Sequence, residues 1–356
     1  MSKFDFSILP RVNELATQCA ASIRAQAEYF KVDEQLPFTP EGQGGHVWLK
    51  IEKRGINTDW LAGELAKFAG VARVAIGYAG LKDRHAITRQ WFSINLEGHE
   101  EPNWSEFERD DIKIIEQTRH NKKLKRGVLT GNIFTLRLTD MQGEQAAWVS
   151  ALEHIQKQGV PNYFAEQRFG HNGGNLQRAD YWFTTGKAPR QRNQKSMYLS
   201  AARSWLFNQV LAERIRLTTW NDVMAGDVMM LSGSKSVFNV DKVDNVLQTR
   251  VANKDIHPTG PLWGRGESLA ATDCLQVEQA TLTDWQGWQQ ALEKQGLSQE
   301  RRSLRLFPEN FEWTFIDDEQ LTLSFFLPLG CYATAVMREL AVITDATHRP
   351  PEKREQ

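Results

Sequence analysis

The stretch Gly77-Tyr78-Ala79-Gly80-Leu81-Lys82-Asp83-Arg84-His85-Ala86-Ile87-Thr88-Arg89-Gln90-Trp91-Phe92 constrains this chain more than any other. The apolar run from Val74 to Ile76 leads into it, and Trp91, Phe92 and Ile94 carry on from it. Apolar, then glycine-rich and charged, then apolar is the pattern of strand, tight loop and strand. Gly77 and Gly80 allow a positive φ or a close backbone approach. Asp83 sits inside a cationic triplet of Lys82, Arg84 and His85, on a loop mounted between strands. The bare residues leave two readings open. An Asp between cations in a turn is commonly a solvated turn former whose ion pairs contribute little. The same cations favour an ionised carboxylate, and a poorly hydrated carboxylate is a nucleophile that makes covalent intermediates with sugars.

Around this stretch the periodicity predicts alternating elements. Residues 23–32 read as a short strand or turn followed by a strand, residues 42–45 as a flexible loop, and residues 47–52 as a strand. Thr58 is the expected cap of a helix carrying Trp60, Leu61, Leu65 and Phe68 on one face and ending at Gly70. Residues 71–78 form the next expected strand, so 47–78 is a β-α-β unit with Asp83 just past its carboxyl end, a favoured place for ligands in doubly wound sheets. Residues 97–110 are acidic and read as surface. Gly131-Asn132 opens the strand 133–138, and Ala147, Val149, Leu152 and Ile155 mark a helix over 143–158. From about 158 to 308 helices dominate, including one over 197–216, a Pro/Gly-rich loop from His257 to Gly266 and a helix pair over 274–298. Strands return at 311–316 and 321–327, then a helix at 332–342. Met1 to Pro10 reads as loosely held, and the charged, Pro-containing tail 349–356 as disordered.

With 356 residues the chain can hold two domains. A formal charge of −1 argues against a uniformly basic protein, so nucleic-acid contacts must come from local clusters. Arg119-His120-Asn121-Lys122-Lys123-Leu124-Lys125-Arg126 is the densest basic run, either a solvated loop or a phosphate-contacting arm. Lys187, Arg190, Arg192 and Lys195 make a second basic loop, with Arg168 and Arg203 nearby. Cys19, Cys274, Cys331 and the eight histidines show no metal-ligand spacing, so no metal is expected. The absence of a secretion-signal pattern and of a long apolar run predicts a reduced, cytoplasmic protein without membrane association.

Four ordered blocks resemble the TruD family of tRNA pseudouridine synthases. The first is Gly80 to Trp91. The others are Val160-Pro161-Asn162-Tyr163-Phe164-Ala165-Glu166-Gln167-Arg168-Phe169-Gly170, then Leu199-Ser200-Ala201-Ala202-Arg203-Ser204-Trp205-Leu206-Phe207-Asn208, and Leu327-Pro328-Leu329-Gly330-Cys331-Tyr332-Ala333-Thr334-Ala335-Val336-Met337-Arg338-Glu339-Leu340. The resemblance implies an α+β fold: a mixed, largely antiparallel pseudouridine-synthase-type sheet with flanking helices, plus a mainly helical α/β insertion domain. It places the catalytic domain at 1–157 and 309–345, the insertion at 158–308 and a flexible tail at 346–356. It implies isomerisation of uridine to pseudouridine in tRNA, at position 13 of the D-arm and in tRNA-Glu for the family, by a monomer without a cofactor.

By the same resemblance Asp83 is the catalytic carboxylate. It acts on the ribose anomeric carbon, on the uracil ring, or by assisting elimination to a glycal. Phe30, Asn132 and Tyr332 fall on substrate-binding positions, Tyr332 where many relatives carry Phe; core packing is the competing reading for both aromatics. A basic residue pairs with the Asp in this family. Lys82 and Arg84, with His85, are its sequence neighbours, and Arg24 is the candidate from a distant segment. Arg119, Lys122, Lys123, Lys125, Arg126, Arg190 and Arg192 are candidate RNA-backbone contacts. The alternative function is a non-catalytic RNA-binding or folding-helper protein in which Asp83 is structural.

Overall fold

The computed structural model describes residues 3–348. The tail 349–356 and its expected disorder lie outside the described residues. The chain runs through β1 (Ala20–Ile23), β2 (Phe30–Gln35), β3 (His46–Arg54), α1 (Thr58–Phe68), β4 (Ile76–Tyr78), β5 (Ile87–Asn95), β6 (Ile112–His120) and β7 (Gly131–Gln142). In β3 the odd positions Val47, Leu49 and Ile51 are buried in one cluster with Leu61, Leu65, Phe92 and Ile94. Trp48 packs into a separate cluster with Trp91 and Leu124, as a period of two requires. Asn57 rather than Thr58 caps α1; its Oδ1 accepts from the N–H groups of Asp59 and Trp60 at 2.8 and 3.3 Å. Trp60 is exposed, outside the stripe expected of it. The expected strand 71–78 shortens to β4, because Arg73–Ala75 closes a 3-10 turn that exposes Val74. The acidic segment 97–110 is anchored by a buried Trp104 that packs on Phe68.

The chain continues through α2 (Gln145–Gln158), β8 (Val160–Pro161), α3 (Gly174–Thr185), α4 (Arg192–Arg216), β9 (Val228–Leu231), β10 (Val237–Asn239), α5 (Asn245–Ala252), β11 (Ile256–Leu262), α6 (Thr272–Thr281), α7 (Gln286–Lys294), β12 (Glu300–Ser303) and β13 (Arg305–Leu306). In α2 Trp148 is buried along with Leu152 and Ile155, whereas Ala147 and Val149 are only half-buried. Strands interrupt the helices of this stretch, although no strand pattern is legible there in the sequence before Phe311. An antiparallel sheet in the order β10-β9-β11-β12 lies in this stretch. Its central strand β11 is the segment expected to be a loop. Prolines give no ladder donor and disguised it. The strand pairs with β9 up to Pro258 and with β12 from Thr259, so each proline is laddered on one side only.

The last elements are β14 (Glu309–Asp317), β15 (Gln320–Pro328), α8 (Ala333–Leu340) and β16 (Val342–Asp345). The ten-stranded mixed sheet takes the order β14-β15-β7-β2-β5-β3-β6, with β1 paired to both β7 and β16, and β4 to β5. The pairs β2–β5 and β1–β16 are parallel. Both β3 and β4 are antiparallel to β5, so the unit β3-α1-β4 is a β-α-β crossover split by an intervening strand. One edge of β5 is shared: β2 covers Ile87 to Arg89 and β4 covers Phe92 to Ile94. The loop 79–86 joins β4 to β5, and side chains fill the gap left in the ladder at Gln90 and Trp91.

Contacts divide the chain into two units. One comprises Leu15–Ser150, Pro308–Gly330 and the described residues from Ala341 on; it holds all ten strands of the mixed sheet. The other comprises the chain up to Glu14, Ala151–Phe307 and Cys331–Leu340. By contacts, the segments up to Glu14 and from Cys331 to Leu340 pack with the helical unit. Phe4, Phe6 and Leu9 join the aromatic core around Trp205, so this end is not loose. Glu339 of α8 accepts from the backbone of Val12 and Asn13 at 2.9 and 3.1 Å. Within this unit the α4 residue Arg214 meets Asp227 at 2.6 Å with both side chains buried. Removing one partner of such a pair leaves an uncompensated charge. Asp227→Ala should destabilise the fold by about 3–5 kcal/mol and lower Tm by roughly 10 °C. A thermal unfolding scan checks this; a shift under about 2 °C would show that the charge pair is not needed there.

Candidate active site

The loop between β4 and β5 is tied down before it reaches Asp83. Gly77 in β4 has no room for a Cβ, which would strike the Leu124 carbonyl and the Ser93 hydroxyl. The Gly80 carbonyl accepts from the Gln90 side chain at 2.5 Å. Lys82 donates its N–H to the Thr58 hydroxyl at 3.1 Å, so Thr58 holds the loop where capping had been expected of it. The Asp83 Oδ1 accepts the His85 backbone N–H at 2.9 Å, which closes an Asx turn.

The other oxygen of Asp83 faces Arg24. Arg24 Nη2 donates to Asp83 Oδ2 at 2.7 Å, and Arg24 Nη1 donates to Asp345 Oδ2 at 2.6 Å. The Arg24 side chain is 5% exposed and that of Asp83 is 31% exposed. Arg24 directly follows β1 and takes φ +58°, a left-handed conformation that costs a non-glycine residue about 1–3 kcal/mol. That turn lays the guanidinium over the Phe30 ring at 4.0 Å. Asp345 is in place because β16 runs parallel to β1 with Ile23 opposite Asp345. Burial works against its charge, but the Thr347 hydroxyl and N–H and the Arg24 guanidinium still hold the Asp345 carboxyl below its ordinary range.

A second ion pair lies beside the first. Lys82 Nζ is 2.7 Å from Glu34 Oε2, with side chains 6% and 0% exposed. The same ammonium donates to Asn132 Oδ1 at 2.7 Å. Glu34 and Asn132 face each other in register across β2 and β7. Glu34 Oε1 accepts the Trp91 N–H at 3.3 Å, filling the ladder gap of β5. Lys53, the next odd position of β3, is buried and donates to the Ile56 carbonyl at 2.8 Å. Burial first, then the Lys82 ammonium, pulls Lys53 down from 10.5 to about 8, with Asp83 pulling the other way.

The other expected site residues are distributed as follows. Phe30 is 3% exposed, with Arg24 over its face and Phe134 edge-on at 6.4 Å. Its ring is covered rather than open, and its visible work is to seat Arg24. Asn132 is half-buried beside Lys82. Tyr332 belongs to the helical unit, half-buried and edge-on to Phe164 at 6.2 Å. Arg84 and His85 are exposed; Arg84 Nε donates to the Gly55 carbonyl at 3.3 Å, and His85 meets Asp83 through its backbone N–H. In the basic run Arg119 is taken up by Glu101 and the Gly44 carbonyl, Lys123 by the Val74 carbonyl and Arg126 by the Tyr78 hydroxyl. Lys122 and Lys125 are exposed. Arg190 and Arg192 are exposed on the helical unit; Arg192 and Lys195 lie in the first turn of α4 rather than in a loop.

Glu34, Lys53 and Asp345 were not expected. The first two were visible as an anomaly: a charge at the next position of an apolar alternation, Phe30-Val32-Glu34 and Val47-Leu49-Ile51-Lys53. Asp345 gave no such signal. Among the described residues no three His, Cys, Asp or Glu side chains gather as metal ligands do. Among them, too, no helix is long and apolar enough to cross a membrane.

The family model for tRNA pseudouridine synthase D (TruD) matches residues 15–178 and 175–340. A relative from Nitrosococcus oceani named tRNA pseudouridine synthase D is 46% identical over 332 residues, covering 93% of each chain. One of the same name from Aeromonas salmonicida is 48% identical over 327 residues, 92% of each chain. The fold is similar to a crystal structure of a putative tRNA pseudouridine synthase D from Methanosarcina mazei. The TM-score is 0.72 at 20% identity, over 94% of this chain and 96% of the other. The chain thus has an α+β fold of the pseudouridine-synthase type. The chain belongs to the tRNA pseudouridine synthase D (TruD) family.

Lys53 supplies a test of the site's electrostatics. Its folded-state value lies below its unfolded one, so the unfolded chain binds more protons between about pH 8 and 10.5. Stability therefore rises with pH across that window, and the group's cost is fully present below it. The stability difference between wild type and Lys53→Met should shift in favour of wild type by about 3 kcal/mol from pH 7 to 10.5. Urea unfolding at several pH values measures it; a flat difference would refute the assignment.

Proposed function

We propose that this chain isomerises uridine to pseudouridine in tRNA, at position 13 of the D-arm, with Asp83 as the catalytic carboxylate. The observation that carries the proposal is the Asp83–Arg24 pair. A single carboxylate is fixed by a buried guanidinium on one oxygen and by a backbone N–H on the other, with about a third of the side chain open. An ionised carboxylate has about four acceptor sites, and these two bonds leave room for a substrate atom.

The reaction breaks the bond from ribose C1′ to base N1, turns the base, forms the bond from C1′ to C5, and moves the C5 proton off while N1 regains one. Nothing is added or lost overall. The target uridine must first leave its stack, as base-modifying enzymes require. Asp83 acts at the ribose or at the ring, and also serves to accept the C5 proton. Arg24 holds it aimed, itself braced by Asp345 and the Phe30 face. Asn132 contacts the base. The sheet-bearing unit is the catalytic domain, and the helical unit is the family's insertion domain. The exposed Lys122 and Lys125, with Arg190 and Arg192, supply phosphate contacts.

Asp83→Asn keeps the shape and removes the charge. It should leave tRNA binding within about threefold of wild type while cutting pseudouridine formation by at least ~10³-fold. Chemical mapping of pseudouridine in an unmodified tRNA transcript reads both the rate and the position. Pseudouridine formed at the wild-type rate would end the catalytic assignment; binding without any product from wild type would favour a non-catalytic RNA-binding protein. Replacing Lys122, Lys123 and Lys125 together by Ala should reduce the slope of log affinity against log salt by about 2. An unchanged slope would remove this run from the RNA interface.

A further inference from the structure

We infer that Glu34 and Lys82 are positioning residues that fix the Asn132 carboxamide as a hydrogen-bond donor toward a uracil carbonyl oxygen. The inference rests on the uridine chemistry proposed above and adds to it which end of Asn132 meets the base, and why.

The geometry is a chain of enforced choices. Glu34 occupies an inward position on β2 where the alternation calls for an apolar side chain, and its carboxylate is fully buried. A buried carboxylate needs a counter-charge and hydrogen bonds. The Trp91 N–H serves one oxygen and the Lys82 ammonium lies 2.7 Å from the other. Lys82 is thereby held in place at both ends, its backbone N–H on Thr58 and its ammonium on Glu34. An ammonium group only donates. The atom of Asn132 that it touches at 2.7 Å must therefore be the carbonyl oxygen, Oδ1. A free Asn side chain presents either end with little preference, whereas this one has its carbonyl end turned to Lys82 and so presents its NH2 from the opposite end. A donor there suits a carbonyl oxygen of uracil and is mismatched to a ring amine. The residue next to Lys82 is Asp83, so the same ion pair anchors the loop that carries the carboxylate.

The test reads discrimination as well as rate. A tRNA is assembled with uridine, 2-thiouridine or 4-thiouridine at the modified position, sulfur being a poorer acceptor than oxygen. Wild type should turn over one of the two thio substrates about tenfold more slowly than uridine, the other being little affected. The double variant Glu34→Gln/Lys82→Met removes both buried charges together and should keep Tm near the wild-type value. Its kcat on uridine should fall ~10- to 100-fold with KM for tRNA within about threefold, and its oxygen-over-sulfur ratio should narrow to within about threefold. Wild-type kcat in the double variant overturns the inference. So does a lowered kcat with the ratio unchanged, since that is the mark of a merely structural pair. If the double variant loses its folded transition, Asn132→Ala leaves the ion pair intact and reads the same ratio, and an unchanged ratio overturns the donor assignment. Loss of all pseudouridine formation in wild type would instead bring down the proposed function itself.

Discussion

One guanidinium organises the site. Arg24 reaches two carboxylates, Asp83 and Asp345, from a position where its backbone is held left-handed and its flat face lies on a phenylalanine. None of these features is comfortable alone. A left-handed arginine costs energy, and a buried cation with a single carboxylate is hard to stabilise. Together they compensate one another: the turn aims the side chain, Phe30 supports it, Asp345 shares the charge, and Asp83 is left partly exposed yet fixed. The arrangement depends on three segments far apart in sequence, brought together by the two parallel pairings β1–β16 and β2–β5.

The second ion pair shows how the sheet accommodates charge. β5 is laddered to β2 and then to β4 along the same edge, and the residues between lose their backbone partners. Glu34 and Gln90 step into that break with side-chain bonds to Trp91 and Gly80. The interruption is what lets the loop bearing Lys82 and Asp83 come close to the strand surface. A continuous ladder would have sealed the place where the charged side chains now meet. Lys53, one strand away on β3, is buried near the same charges, and burial and the Lys82 ammonium lower its affinity for a proton.

The helical unit has a different logic. Its core is aromatic, built around Trp205 on the 25-residue helix α4, and a segment near the start of the chain supplies Phe4 and Phe6 to it. The small antiparallel sheet β10-β9-β11-β12 is stitched by arginines: Arg301 bonds Glu278 and the Thr259 carbonyl, and Arg305 caps the carbonyls of Val251 and Ile256. Short strands carrying proline are held here by side-chain bonds where ladder bonds run out.

Local pattern alone determined much of this protein. The loop that carries Asp83, the strands flanking it, α1, the two closing strands around Asp317 and the long helix α4 all follow from period and punctuation, because each is decided by neighbours a few residues away. The short strands around His257 and the position of Trp148 were hidden, since proline and composition mislead where pairing is non-local. What only the tertiary structure decided is which charges meet. Arg24 rather than Lys82 reaches Asp83, Lys82 turns instead to Glu34 and Asn132, and Asp345 arrives from the far end of the described chain. Ion pairing is set by distance through space after the strands have taken their register, and no window of sequence contains that distance.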